Sequence, residues 1–435
     1  MPIEIESPEQ LGYGNIRNNL SESSYTDAFF RDIPLDTDLR DLVLCYGSHA
    51  GHEGLRRLVA RDAAGGVGPE VVAEFQGPGA AGGVGPESVG TAAGGVGPES
   101  VGIAAGVGPV VAGIPEGLRP GGLRPEDVLL TIGAAGALFI IATTLLEKDD
   151  EVVVVRPNYA TNIETPRAIG AKVRYIDLRF ENGFALDPEE LGAAIGPRTK
   201  YISVTYPHNP TGVCLNAAQL EALVRLAESR GVRLLVDETY RDMVFGEQLP
   251  LAAAASPLVI SVSSLSKTYG LPGLRTGWIV CTDAPLMEQF LAAKEQIHIC
   301  GPVLDEELAY RYWMHRAEHY GRIRADIAEK FGIVKAWMEQ QQDFEWVEPG
   351  GGCVCFPRIR RPEGLDMDRY YRVLLENYGT YVGPGHWFDM PRHYMRIGFG
   401  WPAKEQLREG LEALGKALKE VSQVGAARGE PDQVD

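Results

Sequence analysis

Short apolar runs rich in valine, isoleucine and leucine, with little polar alternation, mark the chain at 128–132, 151–155, 172–176, 201–205, 233–236, 258–262 and 277–280. A strand covered on one face alternates apolar with polar residues, whereas a strand covered on both reads as a continuous apolar run. Helical spacing fills the intervals, first at 136–146. Strands separated by helices in this way predict an α/β fold with a mainly parallel, seven-stranded sheet sandwiched by helices. Helical periodicity then dominates 287–341, and a smaller α+β part follows, with strands near 353–356 and 395–399.

From 61 to about 124 this pattern is replaced by Ala, Gly, Val and Pro. The unit AAGGVGPESVGT at 80–91 recurs at 92–103 with one substitution, between an imperfect copy at 63–72 and a truncated one from 104. So much Gly and Pro opposes helix and ladder alike, and the side chains bury little area, which predicts a flexible insertion over 63–115. Stacking of the identical positions into a solenoid is the alternative. The period of 12 excludes collagen. The last residues, 425–435, are polar and punctuated by Gly and Pro, which predicts a frayed, disordered tail.

A net charge of −18 argues against nucleic acid as a partner, since phosphate backbones are bound by concentrated Lys and Arg. No apolar run is long enough to span a bilayer, and no basic-then-apolar leader opens the chain, so no membrane association and a cytoplasmic location are expected. Cys45, Cys214, Cys281, Cys300, Cys353 and Cys355 are scattered, as reduced thiols are. The pair Cys353 and Cys355 lacks the second ligand pair of a zinc site, so no metal is expected.

The chemistry gathers where the predicted strands end. Ser263-Ser264-Leu265-Ser266-Lys267 and Arg275 join an amine to hydroxyls and a guanidinium. A partly deprotonated lysine forms a Schiff base with a carbonyl cofactor, and hydroxyls with arginine suit a phosphate dianion. Gly133-Ala134-Ala135 stands between a strand and a helix, where backbone N–H groups and the helix dipole favour an anion. Tyr206-Pro207-His208-Asn209-Pro210-Thr211-Gly212 and Asp237-Glu238-Thr239-Tyr240 follow two further strands. C-terminal strand ends are where α/β sheets bind ligands. A carboxylate there can pair with a protonated pyridine nitrogen, Asn209 and Tyr240 can bond a phenolic oxygen, and Tyr159 can stack on a planar ring.

In this order and spacing the motifs resemble the fold-type-I pyridoxal-phosphate enzymes, specifically the class I/II aminotransferase family. Weaker likenesses run to capreomycidine-synthase-type and aminocyclopropane-carboxylate-synthase-type members. The resemblance covers nearly the whole chain outside the repeats. It implies Lys267 as the Schiff-base lysine, Asp237 on the pyridine nitrogen, Asn209 and Tyr240 on the phenolic oxygen, and Tyr159 on the ring. It also implies phosphate contacts from Gly133, Ala134, Ala135, Ser264, Ser266 and Arg275, and Arg396 as the clamp on the substrate α-carboxylate. Tyr46, in a Y-x₄-G-x₃-L-R motif, is implied to reach the phosphate of the other subunit of a homodimer with shared active sites. The segment 18–27, with Ser23 and Ser24, is implied to line the substrate pocket, and Glu22 or Asp27 there can pair with a cationic side chain. His208 reads as loop structure.

The domain organisation implied is an arm and substrate loop at 1–45, a large cofactor-binding domain at 46–300 interrupted by the insertion, and a small domain at 301–424. The activity implied is transamination between an amino acid and a 2-oxo acid, with elimination, cyclisation or oxidation of a substrate such as an arginine derivative or S-adenosylmethionine as the alternative fates of the same carbanion. A ligand-sensing DNA-binding regulator is disfavoured, because about 45 residues before Tyr46 are too few for a helix-turn-helix module.

Overall fold

The computed structural model of the 435-residue chain describes residues 7–35, 38–63 and 122–427. The expected insertion from residue 64 onward and the tail from 428 lie outside the described residues. The helix Lys404–Ala427 carries the fold three residues into the segment expected to fray.

A short strand β1 (Asn18–Leu20) precedes β2 (Val128–Ile132), β3 (Glu151–Arg156), β4 (Lys172–Asp177), β5 (Thr199–Thr205), β6 (Arg233–Asp237), β7 (Val259–Ser264) and β8 (Thr276–Val280). Strands β2 to β8 form one seven-stranded sheet, ordered β2-β8-β7-β6-β5-β3-β4. The pairs from β4 to β7 are parallel, and β8 runs antiparallel to both neighbours, β7 and β2. The valine run in β3 shows why the sequence reads as it does. Val152 and Val154 join the core beneath the helices Gly133–Leu145 and Ala284–His298, whereas Val153 and Val155 pack with Leu223 and Ala227 of the helix Ala217–Arg230 on the other face. Both faces demand apolar side chains, so the alternation of a half-exposed strand is lost.

The α+β part contains β9 (Phe344–Glu345), β10 (Val354–Cys355), β11 (Arg358–Ile359), β12 (Thr380–Pro384) and β13 (Met395–Gly398). Its four-stranded sheet, β1-β12-β13-β10, takes its first strand from the N-terminal arm, which pairs parallel to β12. That pairing carries residues 20–27 across to the C-terminal ends of the central strands. One buried cluster includes Leu20, Leu55, Trp278, Phe399 and Leu411, so a single core runs from the arm through the sheet to the last helix.

Two local expectations are corrected. The helix after β2 begins at Gly133, not 136, because Gly133 adopts φ +67° and turns the chain directly from strand to helix. The periodic stretch 287–341 is three helices, Ala284–His298, Val303–Met314 and Arg316–Gln340. Ile299 at φ +57° and Pro302, which caps the second helix, break the first interval.

Candidate active site

The C-terminal ends of β5, β6 and β7, together with the β2 turn, face the arm. At the β2 turn the Gly133–Leu145 helix has no side-chain cap, so its first N–H groups, those of Gly133, Ala134 and Ala135, remain for an anion. A Cβ on Gly133 would stand 2.5 Å from Nη2 of Arg275, so glycine is what lets the guanidinium reach the helix start. Arg275 Nη1 donates to Ser266 Oγ at 3.4 Å and to the Pro272 carbonyl at 3.0 Å. Ser264 Oγ accepts from the Ser266 N–H at 3.3 Å. Helix N–H groups, two hydroxyls and a guanidinium thus form one cradle, a donor set suited to a phosphate dianion.

Asp237 ends β6 and is buried. Its Oδ1 accepts from the backbone N–H and hydroxyl of Thr239 at 3.1 and 2.5 Å, and Oδ2 has no hydrogen bond among the described residues. Burial pushes its pKa up, against the Thr239 hydrogen bonds and the nearby Lys267 charge. A cationic ring nitrogen is the partner that would keep such a carboxylate ionised. The cradle, the buried carboxylate and the lysine between them fit pyridoxal phosphate.

Ser23 of the arm meets both neighbours of that site. Lys267 Nζ donates to Ser23 Oγ at 3.1 Å, and Tyr240 Oη donates to the Ser23 carbonyl at 2.6 Å. Tyr240 is fully enclosed, and its hydroxyl is held neutral by burial. On β13, buried Arg396 donates through Nη1 to Asn209 Oδ1 at 3.2 Å and through Nη2 to the Ser21 carbonyl at 2.7 Å. Its Nε is buried without a partner, a donor left for an anionic group such as an α-carboxylate. Burial lowers the Arg396 pKa, and the Tyr159 hydroxyl acts on it electrostatically. Tyr159 is 38% exposed.

The expected residues therefore converge, with one exception. Tyr46 is 77% exposed, and among the described residues no hydrogen bond ties it to this cluster. His208 is buried, its ring nitrogens on Thr211 Oγ1 and the Pro157 carbonyl at 2.8 and 2.9 Å, and burial lowers its pKa to about 4. It is loop structure. Beside Lys267 opens a cavity of about 470 Å³, lined among others by Glu22, Ser24, Asp27, Tyr13 and Trp401. Tyr13 and Trp401 were not apparent from sequence, because neither belongs to a motif and the ring of Trp401 meets Asp27 from 374 residues away. The only sequence signal for Trp401 is its position five residues after Arg396.

A family model described as aminotransferase class I and II matches residues 122–414. Capreomycidine synthase from Streptomyces vinaceus is 32% identical over 320 residues, 71% of this chain and 78% of its own. Aspartate/prephenate aminotransferase from Thermus thermophilus is 35% identical over 305 residues, 68% of this chain and 76% of its own. Among solved structures, the PLP-dependent cyclase OrfR superposes with a TM-score of 0.76 at 26% identity, covering 97% of each chain.

Proposed function

The chain belongs to the class I and II aminotransferases and depends on pyridoxal phosphate; from that premise we propose that Lys267 carries the cofactor and moves the proton by which an α-amino acid and a 2-oxo acid exchange an amino group. The observation that carries this reading is the convergence of Lys267 and Tyr240 on Ser23 and of Arg396 on Ser21, with buried Asp237 within the electrostatic reach of Lys267. When bound, pyridoxal phosphate supplies an aldehyde for the substrate amine and a sink for the electron pair released at Cα. Arg275, Ser264, Ser266 and the Gly133 helix start hold the phosphate. Asp237 holds the charge at the ring nitrogen, and Asn209 and Tyr240 orient the ring oxygen. Arg396, steadied by Asn209, grips the α-carboxylate, which presents the Cα proton to Lys267 Nζ as general base.

Tyr46 supports a homodimer with shared sites. It lies with exposed Val43 and Leu44, and the adjoining Gly47 abuts Val303, near exposed Ile297, Ile299 and Leu304. An apolar surface of this kind suits a second copy of the chain. The small domain at 301–424, completed by the arm, reads as the part that closes over substrate. Six free cysteines suit a reducing, cytoplasmic compartment, and no helix among the described residues is long and apolar enough to cross a membrane.

A single-turnover experiment tests the reaction. Holoenzyme mixed with an amino acid, without a 2-oxo acid, is expected to release one equivalent of 2-oxo acid per site and stop. Continued turnover beyond one equivalent, to a cyclised product or to an eliminated one whose enamine hydrolyses to a 2-oxo acid and ammonia, would instead support the second reading, which the identity to capreomycidine synthase favours.

A further inference from the structure

Two carboxylates line the cavity beside Lys267, and neither is neutralised. Glu22 Oε1 accepts from Tyr13 Oη at 2.9 Å, and Asp27 Oδ2 accepts from Trp401 Nε1 at 3.0 Å. Neither forms an ion pair among the described residues, and each keeps a second oxygen to accept from a ligand. The rings of Tyr13 and Trp401 stack on each other, their centroids 5.9 Å apart at 23°. Among the described residues, Lys267 is the one cationic side chain in the lining. Outside the lining, Arg31 lies over the ring of Phe29 at 4.2 Å, and Arg396 and Glu22 interact electrostatically without an ion pair. Arg396 is bound to Asn209 and Ser21, while Lys330 is paired with Asp326 at 2.8 Å and donates to the Gly400 carbonyl.

Resting on the reaction proposed above, we propose that this cavity selects an α-amino acid with a cationic side chain, a guanidinium in particular, held by Glu22 and Asp27 beside the Tyr13–Trp401 pair. Once the Lys267 amine is engaged by cofactor, the lining carries two negative charges and no positive one. A side-chain carboxylate would meet like charge there, which costs affinity, while a cation would find both counter-charges and aromatic faces. A guanidinium exploits that set more fully than an ammonium, since its planar fork donates to several oxygens at once and stacks on rings. The aromatic hydrogen bonds fix each carboxylate without consuming its charge.

The test uses holoenzyme and three probes: arginine, its neutral isostere citrulline, and aspartate. The wild-type protein is expected to favour arginine over citrulline by about tenfold or more in kcat/KM, with aspartate poorer still. In Glu22→Gln and Asp27→Asn the arginine-to-citrulline ratio falls toward one. Equal use of arginine and citrulline by the wild type, preference for aspartate, or an unchanged ratio in both variants would overturn the proposal. Turnover of aspartate without arginine would leave the transamination reading standing. Failure of every amino acid to alter the cofactor absorbance would instead bring down that reading and this one with it. The wild-type ratio needs no variant, so the proposal stays falsifiable even if a substitution fails to fold.

Discussion

At the scale of single residues, Lys267 and Gly133 carry the sharpest expectations. Lys267→Ala removes both the anchoring amine and the base, so turnover should fall by about 10³-fold or more while the circular dichroism stays unchanged; near-wild-type turnover would refute the assignment. Gly133→Ala drives a Cβ to within 2.5 Å of Arg275 Nη2, so the guanidinium must leave the helix start. Titrating apoprotein with pyridoxal phosphate should show affinity weakened about tenfold or more. Two buried titratable groups shape the pH dependence of stability in opposite windows. Burial lifts Glu238 to about 7, so the folded state keeps a proton that an unfolded glutamic acid loses near pH 4. Its contribution is complete below that pH and is lost as pH rises through about 7. Burial lowers His208 to about 4, so its contribution is present above about pH 6.5 and is lost as pH falls. Denaturant unfolding of Glu238→Gln should therefore lose about 1–3 kcal/mol of the stability difference between pH 5 and pH 8, and an unchanged difference would contradict the burial argument.

At the scale of elements, the arm and β13 have to lie almost in contact. A Cβ on Gly398 would stand 1.7 Å from the Glu22 carbonyl oxygen, so Gly398→Ala must push residues 21–24 away from Arg396 and Lys267. Stability should drop by about 1–3 kcal/mol in denaturant unfolding, with at least about tenfold loss of turnover. Behind the lysine loop, buried Arg316 links two further segments. It pairs with Asp242 at 2.9 Å and donates to Tyr269 Oη at 2.7 Å, two residues beyond Lys267, while Asp242 also accepts from Tyr269 at 2.6 Å. The Arg316 and Arg241 charges hold the Asp242 carboxyl far below the usual carboxylate range, against its burial. Arg316→Met leaves that buried carboxylate with Arg241, 3.6 Å away, as its remaining charge partner, which should cost about 3 kcal/mol of unfolding free energy. The central sheet was legible in the sequence because Val152 to Val155 are buried from both faces. The candidate site residues could be named from sequence because they follow strand ends in short contiguous motifs. The Arg316 network and the Tyr13–Trp401 pair could not, because their partners meet only through the tertiary fold, as Trp313 and Asp62 do from 251 residues apart.

At the scale of the whole molecule, the two described ends of the insertion are tied together. Arg56, in the helix Glu53–Ala63, donates to the Val128 and Pro125 carbonyls at 2.8 and 2.7 Å. That contact joins the two described ends, and loop length alone changes closure entropy slowly. Replacing 64–121 with a short Gly/Ser linker should leave kcat/KM within roughly threefold, and a hundredfold loss would give the repeats a part in catalysis. The central claim, that one lysine at the end of β7 carries the cofactor, is tested most directly by reducing the holoenzyme with borohydride and mapping the labelled peptide by mass spectrometry. The account predicts a single pyridoxyl group on Lys267. Label on another lysine, or none, would contradict it.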